Sequence, residues 1–204
     1  MNNQTSPQEP TAQAGCCGAG AATTDIGQPT ATAVTTDQIG DVPVAGPVVV
    51  IGAGPVGLAT AAHLAERGLG FLVLEAGAEV GPRRSREWGH VRLFSPWRYD
   101  TDAAARRLLE ATGWSLPDPD HLPTGAELVD DYLIPLSRVP ALDGRVRTRT
   151  RVLAVTRRGA DATRTIGRDE RPLLVRFREA DGTVRDIDAR AVIDASGTWG
   201  NANP

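Results

Sequence analysis

Lysine is missing from this chain. All 22 basic residues are arginines. They read as a trace of genomic base composition and not as a binding role, which would need charges gathered on one face. With a formal net charge of −3, nothing points to a nucleic acid or an anionic membrane as partner. Cysteine is almost missing too. Cys16 and Cys17 stand side by side and none follows them, so neither a disulfide framework nor a zinc pattern can be built in the body of the chain. That fits a reducing compartment, and the cytoplasm is the expected location. The first ten residues, MNNQTSPQEP, lack the apolar run of a signal peptide.

Residues 1–45 have almost no aromatics and no period of 2 or 3.6. They read as a disordered tail. Adjacent cysteines can bind soft metals or act as a redox pair. Here they are not spaced C-x-x-C, and a mobile tail offers no shell to tune a thiol, so no thiol function is expected.

From residue 46 the pattern changes. Val48-Val49-Val50-Ile51 is a run of branched residues, typical of a strand buried on both faces. Gly52-Ala53-Gly54-Pro55-Val56-Gly57 follows, then a helical stretch from Leu58 to Arg67 that stops at Gly68. Phe71-Leu72-Val73-Leu74-Glu75 is a second strand. The stretch 47–65 is apolar enough to raise a membrane question, but its glycines, Pro55 and His63 favour a buried strand and helix. Together these pieces form a βαβ unit of about 30 residues.

The glycines match G-x-G-x-x-G in the context that gives the motif meaning, strand before and helix after. Gly52 permits a tight turn, Gly54 lets a backbone approach a pyrophosphate, and Gly57 lets the helix pack close to the strand. The helix N-terminus turns free N–H groups and a partial positive charge toward the phosphates. Glu75 lies near the ~20-residue offset expected for an acid that bonds the adenosine ribose. It would repel a 2′-phosphate, which disfavours NADP at this fingerprint. These features name a dinucleotide; they do not separate FAD from NAD.

Further along, Asp100 or Thr101 is expected to cap a helix to about Thr112. Thr124-Gly125-Ala126-Glu127 is a capping box opening a helix to about Ser137. Val146, Thr148 and Thr150 alternate with arginines, and the chain stays extended through Val155. Asp181-Gly182 is a hairpin signal between 173–178 and 183–188. A last strand, Ala191-Val192-Ile193-Asp194, runs into Ala195-Ser196-Gly197.

The segment VVVIGAGPVGLATAAHLAERGLGFLVLEAG resembles the FAD-binding N-terminus of flavin-dependent oxidoreductases with two dinucleotide-binding domains. AVIDASGTWGNANP is similar to that family's second motif, a strand ending in Ala-Thr-Gly, with Ser196 in place of Thr. Gly81 with Glu87-Trp88 loosely resembles the Gly-Gly-x-Trp region of flavin-containing monooxygenases. The resemblance implies an α/β, Rossmann-like FAD-binding domain at 46–204, with a parallel sheet and a β-meander insertion. It implies FAD as cofactor, NAD(P)H as co-substrate of the full-length enzyme, and a small-molecule substrate. Gly52, Ala53, Gly54, Pro55, Val56, Gly57, Glu75 and Ala76 would surround the ADP half, Val152 the adenine, and Ser196 and Gly197 the pyrophosphate. The loop Arg92-Leu93-Phe94-Ser95 would approach the flavin ring. No catalytic residue and no metal ligand is assigned. A pyridine-nucleotide–disulfide-type reductase and a non-catalytic FAD-holding fragment are the alternatives. The family's crossing to its NADPH domain falls where this chain stops, so the 204 residues alone are expected to be inactive.

Trp88, His90, Trp97 and Tyr99 either line the flavin or pin their loop as a small apolar cluster. His63 is expected to pack or face solvent, His121 to be exposed, and Asp130 and Asp131 to lie on a solvated helix face.

Overall fold

The computed structural model describes residues 46–81, 88–160, 163 and 166–198. The tail with Cys16-Cys17, Glu87, and residues 199–204 lie outside the described residues.

The first strand, β1 (Val48–Ile51), leads through the glycine loop into α1 (Pro55–Glu66) and then β2 (Phe71–Leu74). The helix begins three residues earlier than the pattern suggested. Pro55 stands in its first turn, where the missing N–H has no intrahelical partner to lose. A short helical turn, α2 (Trp97–Asp100), precedes α3 (Ala103–Glu110). The cap of α3 is Asp102, not Asp100 or Thr101. Its Oδ1 accepts the N–H groups of Ala104 at 2.9 Å and Ala105 at 3.0 Å, while Asp100 is occupied by the Ser95 hydroxyl at 2.5 Å.

The capping box forms as read: the Glu127 N–H donates to Thr124 Oγ1, and Glu127 accepts from the Thr124 N–H at 2.6 Å. It opens α4 (Gly125–Glu127), which passes through a π-helical turn, Leu128–Leu133, into α5 (Ile134–Ser137). Pro135 explains the irregularity. It has no N–H for the carbonyl one turn earlier, and the Trp114 indole N–H takes the carbonyl oxygen of Asp131 instead, at 2.8 Å.

The extended stretch after Gly144 is two strands, not one. β3 (Val146–Arg147) pairs with β2, and β4 (Arg151–Arg157) pairs elsewhere. Between them Arg149 adopts φ 51°, the only non-glycine with positive φ among the described residues. That conformation costs a side-chain-bearing residue energy, and it turns the chain from one sheet to the other. Next come β5 (Leu173–Arg178), β6 (Val184–Ala189) and β7 (Ala191–Asp194). The β5–β6 turn closes with Gly182 at φ 88° and the Thr183 N–H on Asp181 Oδ1.

Two sheets result. One is four-stranded in the order β3-β2-β1-β7, and its β1 pairs in parallel with β2 and β7. The other is the antiparallel meander β4-β5-β6. Alternation along β1 and β2 sorts their side chains into two cores. Val48, Val50, Phe71 and Val73 face α1, α3 and the 125–137 helix, packing with Leu58, Trp97, Leu109, Tyr132 and Leu136. Val49, Leu72 and Leu74 face the meander and meet Val175, Phe177 and Ala189. Strands covered on both faces are why 48–51 and 71–74 read as unbroken apolar runs. The stretch 47–65 is thus a strand, a loop and a helix. Among the described residues no helix is long and apolar enough to cross a membrane.

Candidate functional site

β2 lies on one side of β1 and β7 on the other, so strand order reverses at β1. In open α/β sheets the crevice outside the carboxyl ends of such strands is where ligands sit. Two turns meet there. Pairing of Ile51 with Asp194 brings the end of β7 beside the glycine loop, and the Ala195 N–H donates to the Ile51 carbonyl at 2.9 Å.

The three glycines have three different surroundings. Gly52 has φ 99°, and a Cβ built there would lie 2.7 Å from the Ala195 carbonyl oxygen and 3.0 Å from Ser196 Cα. A Cβ on Gly57 would come within 2.0 Å of the Gly52 carbonyl oxygen. A Cβ on Gly54 would meet nothing within 4 Å. Gly52 and Gly57 are therefore closed by the protein itself, whereas Gly54 borders open space. Gly54 is also the N-cap of α1, with no side chain bonding the helix end and no acid in the first turn. The first helical bond runs from Leu58 N–H to the Gly54 carbonyl at 3.0 Å. The N–H groups of Val56 and Gly57 precede it, and orphan donors of this kind bind anions.

Glu75 does more than the sequence suggested. Its Oε2 accepts the Ala53 N–H at 2.7 Å and its Oε1 the Gly77 N–H at 2.6 Å. The carboxylate thus ties the glycine loop to the end of β2. An ionised carboxylate has about four lone-pair sites, so each oxygen keeps one for an incoming hydroxyl. Nearby bonds brace the same corner: Gly81 N–H to the Ala53 carbonyl, Thr150 N–H to the Glu75 carbonyl, and Arg149 N–H to the Gly77 carbonyl. Ala76 is exposed between them.

Of the other predicted site residues, Pro55 is half-buried and Val56 exposed on the first turn of α1. The Val152 side chain packs into the meander core, opposite Phe177. Ser196 and Gly197 are exposed in the turn after β7, and Gly197 has φ 70°. Both donors of Ser196 are already engaged. Its N–H reaches Asp194 Oδ1 at 3.0 Å and its hydroxyl the same oxygen at 2.6 Å. The Ser196 hydroxyl first, and its N–H second, hold the Asp194 carboxyl below the usual aspartate range. The residue missed by sequence reasoning is Asp194; an Asp two positions before a Ser is the signature of such a turn.

The aromatic loop divides. Trp97 is buried at 1% exposure, edge-on to Tyr132 in the main core. Trp88, His90 and Tyr99 are exposed. Phe94 is fully exposed on a braced segment: Leu93 N–H donates to the Pro123 carbonyl at 2.7 Å and the Arg92 guanidinium to the Leu122 carbonyl. His63 joins helices, its Nε2 lying 3.0 Å from Asp102 Oδ2. His121 is not simply exposed. It is half-buried, with Nε2 at 3.3 Å from Glu127, because the capping-box carboxylate has lone pairs to spare. Asp130 and Asp131 are exposed.

Residues 47–126 match the family of FAD dependent oxidoreductases. This segment of the chain is similar to that family. FAD is the family's cofactor, and the matched segment contains the whole glycine loop and Glu75. A flavin-containing monooxygenase from Stenotrophomonas maltophilia is 30% identical over 78% of this chain, with a TM-score of 0.52. A bacillithiol disulfide reductase from Bacillus cereus (22% identity, 78% of this chain, TM-score 0.56) and a steroid monooxygenase bound to NADP (23%, 78%, 0.53) share the fold. The chain spans 40%, 42% and 27% of those three proteins, in the order monooxygenase, reductase, steroid monooxygenase. No curated protein matches it by sequence. The fold is widespread, with 418 matching solved chains, so it does not by itself name a reaction.

Proposed function

We propose that this chain is the FAD-binding portion of an NAD(P)H-dependent flavoprotein oxidoreductase of the monooxygenase kind. One observation carries the reading: of the three motif glycines, Gly52 is closed by the turn after β7 and Gly57 by the Gly52 carbonyl, while the backbone at Gly54 borders open space. FAD fits these residues. Val56 and Gly57 offer N–H groups and the positive end of α1 to a pyrophosphate. Glu75 keeps lone pairs for ribose hydroxyls and opposes a 2′-phosphate. Residues 46–204 form the FAD-binding domain and 1–45 an appended tail. When bound, FAD supplies the electron-transfer chemistry; the protein holds it and excludes water.

The monooxygenase from Stenotrophomonas maltophilia supports the finer assignment, since it shares the most sequence of the three neighbours described. NAD(P)H as reductant is supported by the steroid monooxygenase of like fold, which is bound to NADP. The remaining partner is a small organic substrate, and the setting is the cytoplasm.

The test is to denature the purified protein and identify what it releases, then to titrate FAD into the flavin-free form. Released FAD, or saturable uptake, is expected. A chain that neither carries nor takes up flavin refutes the reading.

A further inference from the structure

The second turn at the switch point has a feature that the FAD reading does not explain. Ser196 has two hydrogen-bond donors, its N–H and its hydroxyl, and both are given to one oxygen of Asp194. The hydroxyl bond, at 2.6 Å to a carboxylate, is of the short charge-assisted kind. Asp194 is held in place in turn. It is the last residue of β7, in register with Ile51, and the next residue is bonded to the Ile51 carbonyl. Ser196 itself is exposed, and its Cα sits close against Gly52. It therefore faces the same crevice as the glycine loop.

A serine in that state cannot do what its position first suggests. Phosphate oxygens only accept hydrogen bonds, and Ser196 has no proton left to give them. The carboxylate behind it, ionised at neutral pH because its two bonds from Ser196 favour the charged form, also opposes a second anion. What the Ser196 oxygen retains is lone pairs. Its favourable neighbour is a donor that carries no negative charge.

Resting on the FAD reading, we propose that Asp194 is a positioning residue that sets Ser196 as an acceptor, so that Ser196 binds a hydroxyl of the polyol chain of FAD and not its pyrophosphate. The division of labour between the turns then becomes clear. The glycine loop and the end of α1 supply donors to the phosphates, and the β7 turn supplies an acceptor to the sugar alcohol. On this proposal Ser196 would not take the place of the family's Thr at the pyrophosphate.

FAD and ADP separate the two possibilities, because ADP has the phosphates and lacks the polyol chain. Each is titrated into the 204-residue chain and into Ser196→Ala, Asp194→Ala and Asp194→Asn, with the FAD-to-ADP affinity ratio read within each variant. Ser196→Ala is expected to weaken FAD roughly 3- to 10-fold, the loss of one hydrogen bond, and to leave ADP unchanged. Asp194→Ala, which frees the hydroxyl proton, should weaken FAD similarly without weakening ADP. Asp194→Asn keeps an oxygen acceptor and should recover most of the FAD affinity, which a general loss of structure would not do. Equal weakening of FAD and ADP by Ser196→Ala places Ser196 at the phosphates and overturns the proposal. So does FAD binding that is unchanged in both Ser196→Ala and Asp194→Ala. If the parent chain binds neither ligand, the FAD reading itself has failed and the proposal falls with it.

Discussion

Gly54 and Gly57 lie three residues apart in one motif, yet replacing each by alanine should damage different properties. The Gly57→Ala methyl would sit 2.0 Å from the Gly52 carbonyl oxygen, well inside the ordinary contact distance of about 3.5 Å. The helix must retreat by more than an ångström from the strand it packs on. Overpacking of this kind costs about 1–3 kcal/mol. For a folded body of this size, 2 kcal/mol lowers Tm by roughly 4–8 °C. The Gly54→Ala methyl meets no protein atom, and Gly54 has φ −80° and ψ −173°, a conformation open to any residue. Its Tm should stay within about 2 °C of the parent, since surface changes away from special features stay within about ±0.5 kcal/mol. FAD should suffer instead, because the methyl occupies the open space the pyrophosphate needs; a loss of tenfold or more is expected, about 1.4 kcal/mol. Thermal melts of the flavin-free proteins and FAD titrations measure the two effects separately. A Gly54→Ala protein that melts as early as Gly57→Ala, or that binds FAD like the parent, refutes the assignment of that space to the cofactor.

Three further outcomes follow from bonds described above. Glu75→Ala should lose both Tm and FAD affinity, since the side chain ties the glycine loop as well as facing the ribose; hydrogen bonds to charged groups contribute about 1.5–3 kcal/mol each, and calorimetry with and without FAD separates the two losses. Burial alone would raise the Asp102 carboxyl, but the N–H groups of Ala105 and Ala104 and the side chain of His63 outweigh it, so the folded group lies below the ordinary aspartate range. Its contribution is complete above that range and disappears as pH falls through the lowered value, so Asp102→Ala should cost about 1 kcal/mol at neutral pH and show a shallower acid limb in a melt-versus-pH series. Trp114→Phe keeps an aromatic ring but removes the donor to the Asp131 carbonyl; a loss of about 1 kcal/mol is expected, with faster amide exchange confined to the 125–137 helix.

Much of this was legible in advance because it is local. The apolar runs at 48–51 and 71–74, the glycine spacing and the capping box at Thr124 each declare themselves within a few residues, and each forms. The parallel sheet and the separate meander follow from the same signals. What escaped were features that depend on a partner far along the chain. The bond from Glu75 to Ala53 crosses between strand ends. Trp97 reads as one of four loop aromatics until Tyr132 is seen beside it. The break at Arg149 has no glycine to announce it, because the left-handed conformation is imposed by the need to reach Gly77 on one side and the meander on the other. Asp194 was written in the sequence as a turn signal, but its effect on the polarity of Ser196 depends on two distances.

The pairing of Ile51 with Asp194 joins strands about 140 positions apart. At a ribosomal rate of about 5–20 residues per second, the glycine loop emerges on the order of 10 s before the strand that completes its crevice. Closing so long a loop carries an entropic cost that local pairing of β1 with β2 does not. The nascent chain can therefore form its βαβ unit early while one edge of β1 stays unpaired. Such an edge invites pairing with another chain until β7 arrives. Destabilising β7 should thus show first as lower soluble yield, before any change in the affinity of the protein that does fold.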